Sequence, residues 1–394
     1  MCIYLYACLC VCVSQIMQLI PLLTINLVPS QVLYTGSLVI AATAEWLAKA
    51  PDCASLIPGL LKWLTDIILL PVTKGNDVKC IATLAERNYE DAAAAAAIAL
   101  RHLCDTCAKT LAEMGRGVLD NGLLDIYKQC LHAQAEETVI GNIIEGICFV
   151  LYRGFGEDDL AVASKTLENL LEPIVTKLGS DVARAKTSPA SSKAALRRVV
   201  CGLDQLVVIL QSTYGDASSN LMARAMTVIW PRVDSIWEIP GLEPWAIERL
   251  CRAIKAIIRN VAPVASHIGP ILCQIIPSKF KQFENEAILY LGREVVRSYS
   301  KNAAVQGYLP AFVKGLISTA SPLLVTLDDF SKRPYMAEDF FYFLSSVCKC
   351  MADKLLAIAD IDVLLRRVVL STLVGLQIQV MTPLPLAMYM HSEH

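Results

Sequence analysis

Charge is scarce in this sequence. Acidic and basic residues make up 18% of the 394, and the first 44 residues contain none. The formal net charge is −2. That excludes the strongly basic balance of a general nucleic-acid binder and confines any anion binding to a local patch. Histidine is also rare, with five scattered residues, two of them (His391 and His394) at the C-terminal end. The alternation of Val, Ile and Thr between Asn-Gly turns that marks strands and hairpins is missing. So are a Ser/His/Asp arrangement, a phosphate-cradling glycine loop and a paired-carboxylate motif. Gly154-Phe155-Gly156 reads as a turn between helices, because no strand precedes it. These absences argue against an enzyme, and no catalytic residue, cofactor or metal is expected.

Cysteine is not scarce: there are fifteen. They lack the dense, even spacing of a small disulfide-stapled domain, which points to reduced, buried thiols in a cytosolic or nuclear protein. Cys104-Asp105-Thr106-Cys107 has CxxC spacing, but it lies inside a helical pattern with no second pair, so structural thiols are expected. Cys348-Lys349-Cys350 points its thiols about 200° apart on a helix, which is unsuited to a shared ligand.

The uncharged beginning needs its own reading. Residues 1–28 are apolar enough for a signal peptide or a membrane span. However, there is no basic n-region, no clean cleavage site and no flanking Lys or Arg to set topology. The Cys-Val-Cys-Val run is what a translated TG repeat would give. Residues 1–33 are therefore expected to be an apolar leader outside the fold, and membrane association is not expected.

From residue 34 onward the pattern is helical with short breaks. Helices are expected over 34–49, 53–70, 89–113, 119–132, 138–152, 159–178, 194–211, 219–237, 243–262, 266–283, 284–300, 303–321, 336–354 and 360–379. The stretch 180–193, with Thr187-Ser188-Pro189-Ala190-Ser191-Ser192, reads as a linker, and 380–394 as a tail. Successive pairs recur about every 50 residues, close to the period of HEAT and armadillo arrays. Such pairs cannot bury their apolar faces alone, so stacking is the natural solution. The expected fold is an all-α, HEAT-like solenoid of antiparallel helix pairs over 34–379.

One of these helices has a distinctive pattern of charge. Pro244 suits its first position and Pro263 marks its stop. With Arg249 at 0°, Arg252, Lys255 and Arg259 fall at about 300°, 240° and 280°. Leu250, Ile254, Ile257, Ile258 and Val261 fall on the opposite face. Four cations thus share one side, read as having no i, i+4 carboxylate partner, with Glu248 about 100° from Arg249.

Three stretches carry a family resemblance. They are Ala95-Ala96-Ala97-Ile98-Ala99-Leu100-Arg101-His102-Leu103-Cys104-Asp105-Thr106-Cys107, Glu284-Asn285-Glu286-Ala287-Ile288-Leu289-Tyr290-Leu291-Gly292 and Arg333-Pro334-Tyr335-Met336-Ala337-Glu338-Asp339-Phe340-Phe341-Tyr342-Phe343-Leu344. In this order they resemble the importin-β superfamily of nuclear transport receptors, on its transportin-3 (transportin-SR) and importin-13 branch, over roughly 34–379. The family's N-terminal Ran-binding repeats have no counterpart in this sequence.

The resemblance implies nuclear import of protein cargo, nucleoporins and the GTPase Ran as partners of the family, residence in cytoplasm and nucleus, and no direct nucleic-acid partner. It also implies that Arg249, Arg252 and Arg259 match an arginine-rich helix that holds phosphorylated Arg-Ser segments. Lys255 stands where the family has another arginine, keeping the charge but not the bidentate fork. The alternative is a helical-repeat interaction scaffold with no transport cycle.

Overall fold

The computed structural model describes residues 13–49, 51–74, 84–133, 135–155, 160–187, 192–212, 216–261 and 267–355, with isolated positions beyond. The expected helix at 360–379 lies almost wholly outside them, as do residues 1–12 and the expected tail at 380–394. No strand is present among the described residues. The chain is an all-α helical-repeat protein, and it divides into two compact units, Met1–Asp181 with Asp204–Val228, and Val182–Leu203 with Ile229–His394.

In the first unit the main helices are α1 (Ser30–Lys49), α2 (Ile57–Lys74), α3 (Leu84–Thr106), α4 (Leu124–His132) and α5 (Glu137–Phe149). α3 is the hub, with α1 and α2 packed on one side and α5 on another. The alanine run explains this. Ala92, Ala93, Ala95, Ala96 and Ala97 are all buried, and their small side chains let neighbouring helices approach while favouring helix intrinsically. Cys104 belongs to the same contact. A Cβ on Gly146 of α5 would lie 3.3 Å from its Sγ, and burial raises both the Cys104 and Cys107 thiols.

The expectation for residues 1–33 is corrected where the structure describes them. Met17 and Ile20 are buried, the Thr43 hydroxyl lies 3.7 Å from the Met17 sulfur, and α1 begins at Ser30 rather than 34. An uncharged segment that cannot be solvated cheaply packs onto the nearest apolar helix surface. The expected linker at 180–193 is corrected over its first part, because α6 (Leu160–Thr187) continues through residue 187; residues 188–191 lie outside the described residues. Leu178, Val182 and Ala185 are buried at i, i+4 and i+7, which extends the apolar stripe and favours helix over linker.

After α7 (Ser192–Gln211) and α8 (Asp216–Asp234), the second unit contains α9 (Pro244–Val261), α10 (Ile268–Phe283), α11 (Glu286–Tyr299), α12 (Leu309–Ala320) and α13 (Pro334–Leu355). Alternate helices stack: α9 on α11 and α11 on α13, with α10 on α12 in a second row that also touches α11. The corner between α10 and α11 is set by local chemistry. Glu284 takes a left-handed conformation with φ 46, and Asn285 caps α11 by accepting the Ala287 backbone N–H at 3.0 Å. Asn at an N-cap satisfies a donor that the helix leaves open.

Close backbone approaches can be tested at glycines. A Cβ on Gly154 would sit 2.5 Å from the Ala108 carbonyl oxygen and 2.9 Å from the Ala112 Cβ, whereas one on Gly141 meets nothing within 4 Å. Gly154→Ala is expected to cost about 1–3 kcal/mol through overpacking. Gly141→Ala, inside α5, is expected to be neutral or stabilising by up to about 1 kcal/mol through helix propensity. Denaturant unfolding of the two variants side by side checks this contrast, and equal destabilisation would refute it.

Candidate functional site

α9 forms because two sequence signals coincide. Pro244 occupies its first position, where a missing N–H is harmless. Its apolar residues recur at helical spacing: Ala246, Ile247, Leu250, Cys251, Ala253, Ile254, Ile257 and Ile258 are all buried. The opposite side carries the four predicted site residues. Arg252 and Arg259 are exposed, and Arg249 and Lys255 are half-buried.

The reading of an unpaired ladder is corrected. Arg252 donates to Glu248 at 2.7 Å, an i, i+4 pair that the helical spacing permits. Arg259 donates through Nε and Nη2 to the two carboxylate oxygens of Glu294 at 2.9 and 3.2 Å. Lys255 lies over the Tyr290 ring, 4.4 Å from its centroid. The structure thus brings Arg252, Lys255 and Arg259 into one field. Arg249 sits one turn before Arg252 on the same helix.

The neighbouring helix supplies what the sequence reading missed. α11 presents Tyr290, Arg293 and Arg297 at i, i+3 and i+7, a stripe on one side of the helix. The Arg293 guanidinium lies 4.6 Å from the Tyr290 centroid and 5.5 Å from that of Tyr342 on α13. Lys255, Tyr290, Arg293 and Tyr342 therefore form an alternating series of cation and ring across three helices, an arrangement favoured by the ring quadrupole. The spacing of Arg293 and Arg297 could have signalled the second basic stripe. The role of Tyr342 could not, because it depends on α13 stacking against α11.

Glu294 is the anchor. Its side chain is 3% exposed, and besides Arg259 it has Arg293 Nε at 3.6 Å and Arg297 Nη1 at 3.9 Å. Burial pushes this carboxyl up, but the hydrogen bond and charge of Arg259, then the charges of Arg293 and Arg297, reverse the effect and hold it below the ordinary glutamate value. The cations respond in the opposite sense. Burial, then the charge of Arg259, holds the Lys255 ammonium below its usual value; Glu294 opposes this, while Arg293 and Arg252 add to it. Five cations from two helices (Arg252, Lys255, Arg259, Arg293 and Arg297) face two carboxylates, Glu248 and Glu294. On a chain of net charge −2, this surface carries a local positive excess suited to a multivalent anion.

Residues 222–324, which include α9 through α12, match the family model for the fourth TPR domain of transportin-3 and importin-13. The chain is 24% identical over 326 residues to Transportin MOS14 of Arabidopsis thaliana, covering 81% of this chain and 30% of that protein. The chain is therefore similar to proteins of the importin-β/transportin type. It spans about a third of the length of the transportin that it matches. A solved circular tandem repeat protein with novel repeat topology and enhanced subunit contact surfaces matches over 95% of this chain and 96% of its own, at 12% identity and a TM-score of 0.27. The basic surface lies inside the segment that matches the family model, apart from Tyr342.

The Glu294 anchor yields a stability prediction. Glu294→Gln leaves the Arg259 fork without its carboxylate, and hydrogen bonds to charged groups contribute about 1.5–3 kcal/mol. A loss at the lower end is expected, because Arg259 is about half exposed and solvent screens the pair. The folded carboxyl lies below its unfolded value of about 4.3. Its stabilisation is therefore present above that pH and is lost as pH falls through the folded value. Urea unfolding from pH 7 to 3 should show a shallower acid dependence in Glu294→Gln than in wild type, and parallel curves would refute the assignment.

Proposed function

We propose that this chain forms a cargo-holding part of a nuclear transport receptor that works between cytoplasm and nucleus, and that its basic surface binds phosphorylated Arg-Ser segments. The observation that supports this most directly is the excess of cations across α9 and α11, gathered on a frame of stacked helices rather than on a mobile loop. A phosphoserine brings nearly two negative charges and three acceptor oxygens. Each can take charge-assisted hydrogen bonds from a cation already fixed in place. The transportin-type match supports the receptor class. Arg249, Arg252, Lys255 and Arg259 are the proposed cargo contacts on α9, with Ran and nucleoporins as partners of the receptor as a whole.

Because Arg259 also anchors Glu294, removing it would confound binding with stability. The cleaner variant is Arg252→Ala/Lys255→Ala, which leaves the Arg259–Glu294 pair in place. Titration with an Arg-Ser repeat peptide, phosphorylated and unphosphorylated, should show tighter binding of the phosphorylated form by wild type. The double variant should weaken that binding by about 10²-fold, from two lost contacts of about 1.5 kcal/mol each. The affinity should also fall with added salt. Equal affinities for both peptides in both proteins would reduce the basic face to a solvated helix surface.

A further inference from the structure

We propose that Arg293, stacked between Tyr290 and Tyr342, is a phosphate receptor on this surface and the point at which a bound phosphorylated segment passes from α9 and α11 to α13. This rests on the proposed function for the identity of the segment, but the receptor itself is argued from geometry.

The cations of α9 already have partners. Arg252 is bonded to Glu248, and two nitrogens of Arg259 are bonded to Glu294. Any anion there must share or displace a carboxylate. Arg293 is held differently. Its guanidinium lies over two aromatic rings from two helices, at 4.6 and 5.5 Å, and makes no hydrogen bond among the described residues. Its Nε is buried without a hydrogen-bond partner, and the nearest carboxylate oxygen, from Glu294, stands at 3.6 Å, too far for one.

A planar guanidinium that is already oriented, with its donors not engaged, meets a tetrahedral anion at little further entropic cost. A fifth of the side chain remains accessible, and Tyr342 beside it is half exposed. The head is therefore reachable from solvent along the α11–α13 side. Burial pushes the Asp339 carboxyl on α13 up to about 6, against the opposing charge of Arg293, and it makes no ion-pair contact among the described residues. It would compete with an incoming phosphate by like-charge repulsion.

Stacked helices lie about 8–10 Å apart. A segment reaching from the α9 cations to Arg293 therefore needs about three extended residues at roughly 3.3–3.6 Å each. A ligand with two phosphoserines two or three residues apart, as in an Arg-Ser repeat, would fit both positions at once. A single phosphate would fit one.

The test uses the full chain and two probes. The first is an Arg-Ser repeat peptide carrying two phosphoserines, compared with its unphosphorylated form. The second is inorganic phosphate against sodium chloride at equal ionic strength, read as a shift in thermal midpoint. Lysine at 293 keeps the charge but loses both the fork and the ring stacking, so Arg293→Lys is expected to weaken phosphopeptide binding about fivefold or more. It should also abolish the phosphate-specific rise in midpoint. Asp339→Asn is expected to strengthen phosphopeptide binding about threefold by removing the competing charge.

Matching unfolding curves in chloride establish that Arg293→Lys folds; should it not fold, Tyr342→Leu replaces it, with an expected loss of about threefold or more. Arg293→Lys binding the phosphopeptide as wild type does, or keeping the phosphate response, overturns the assignment. If wild type fails to distinguish the two peptides, the proposed function falls and the phosphate arm alone decides. A rise lost in Arg293→Lys then supports the receptor, and a rise that persists, or none in wild type, overturns it.

Discussion

The basic surface depends on one buried carboxylate. Glu294 sits on the packed side of α11 with 3% of its side chain exposed, and Arg259 reaches it from α9 with two hydrogen bonds. A carboxylate in this position would be costly if isolated. The arginines around it make it tolerable, and it in turn fixes where they stand. Without it, Arg259, Arg293 and Arg297 would repel one another at the point where α9 and α11 meet. With it, one negative charge is shared among three cations, and the excess faces outward. The same group thus joins two helices and organises the charge on their surface.

This explains how a cationic face can exist on a chain that is mildly acidic overall. Long-range steering by net charge is unavailable, so selection must act at short range, through fixed donors and local potential. Repulsion among the cations is visible in Lys255, which burial and the neighbouring charges hold below the ordinary lysine value. Tyrosine rings supply the remaining compensation. Tyr290 lies against two cations from different helices, stabilising them without neutralising them, as a carboxylate would.

The helical-repeat frame makes such a surface durable. Alternate helices stack, so side chains on α9, α11 and α13 are held at fixed spacing by apolar cores on the other side. Gly292 contributes directly. A Cβ there would lie 2.7 Å from Leu316 and 3.4 Å from Phe343, so its absence lets α11 approach both α12 and α13. That approach brings Tyr342 within reach of Arg293.

The sequence by itself determined the helices. Their apolar periodicity, proline starts and alanine run specify elements that depend on neighbours within a few residues, and α9, α11 and the unbroken Ala92–Ala97 stretch were legible for that reason. It also determined which face of α9 carries charge, because 100° per residue is a property of the helix alone. The ends were harder to read. The first part of the linker expected at 180–193 became the last turns of α6, through residue 187, since the stripe through Val182 and Ala185 has buried partners that local composition does not reveal. Met17 was likewise drawn into the fold by apolar surface distant in sequence.

Only the tertiary structure decided what the charges do. The Arg252–Glu248 pair was available from spacing and was overlooked. The Glu294–Arg259 bond spans 35 residues, and the stacking of Arg293 on Tyr342 joins two separate helices. Such contacts depend on which faces of stacked helices meet, and no periodicity within one helix specifies that.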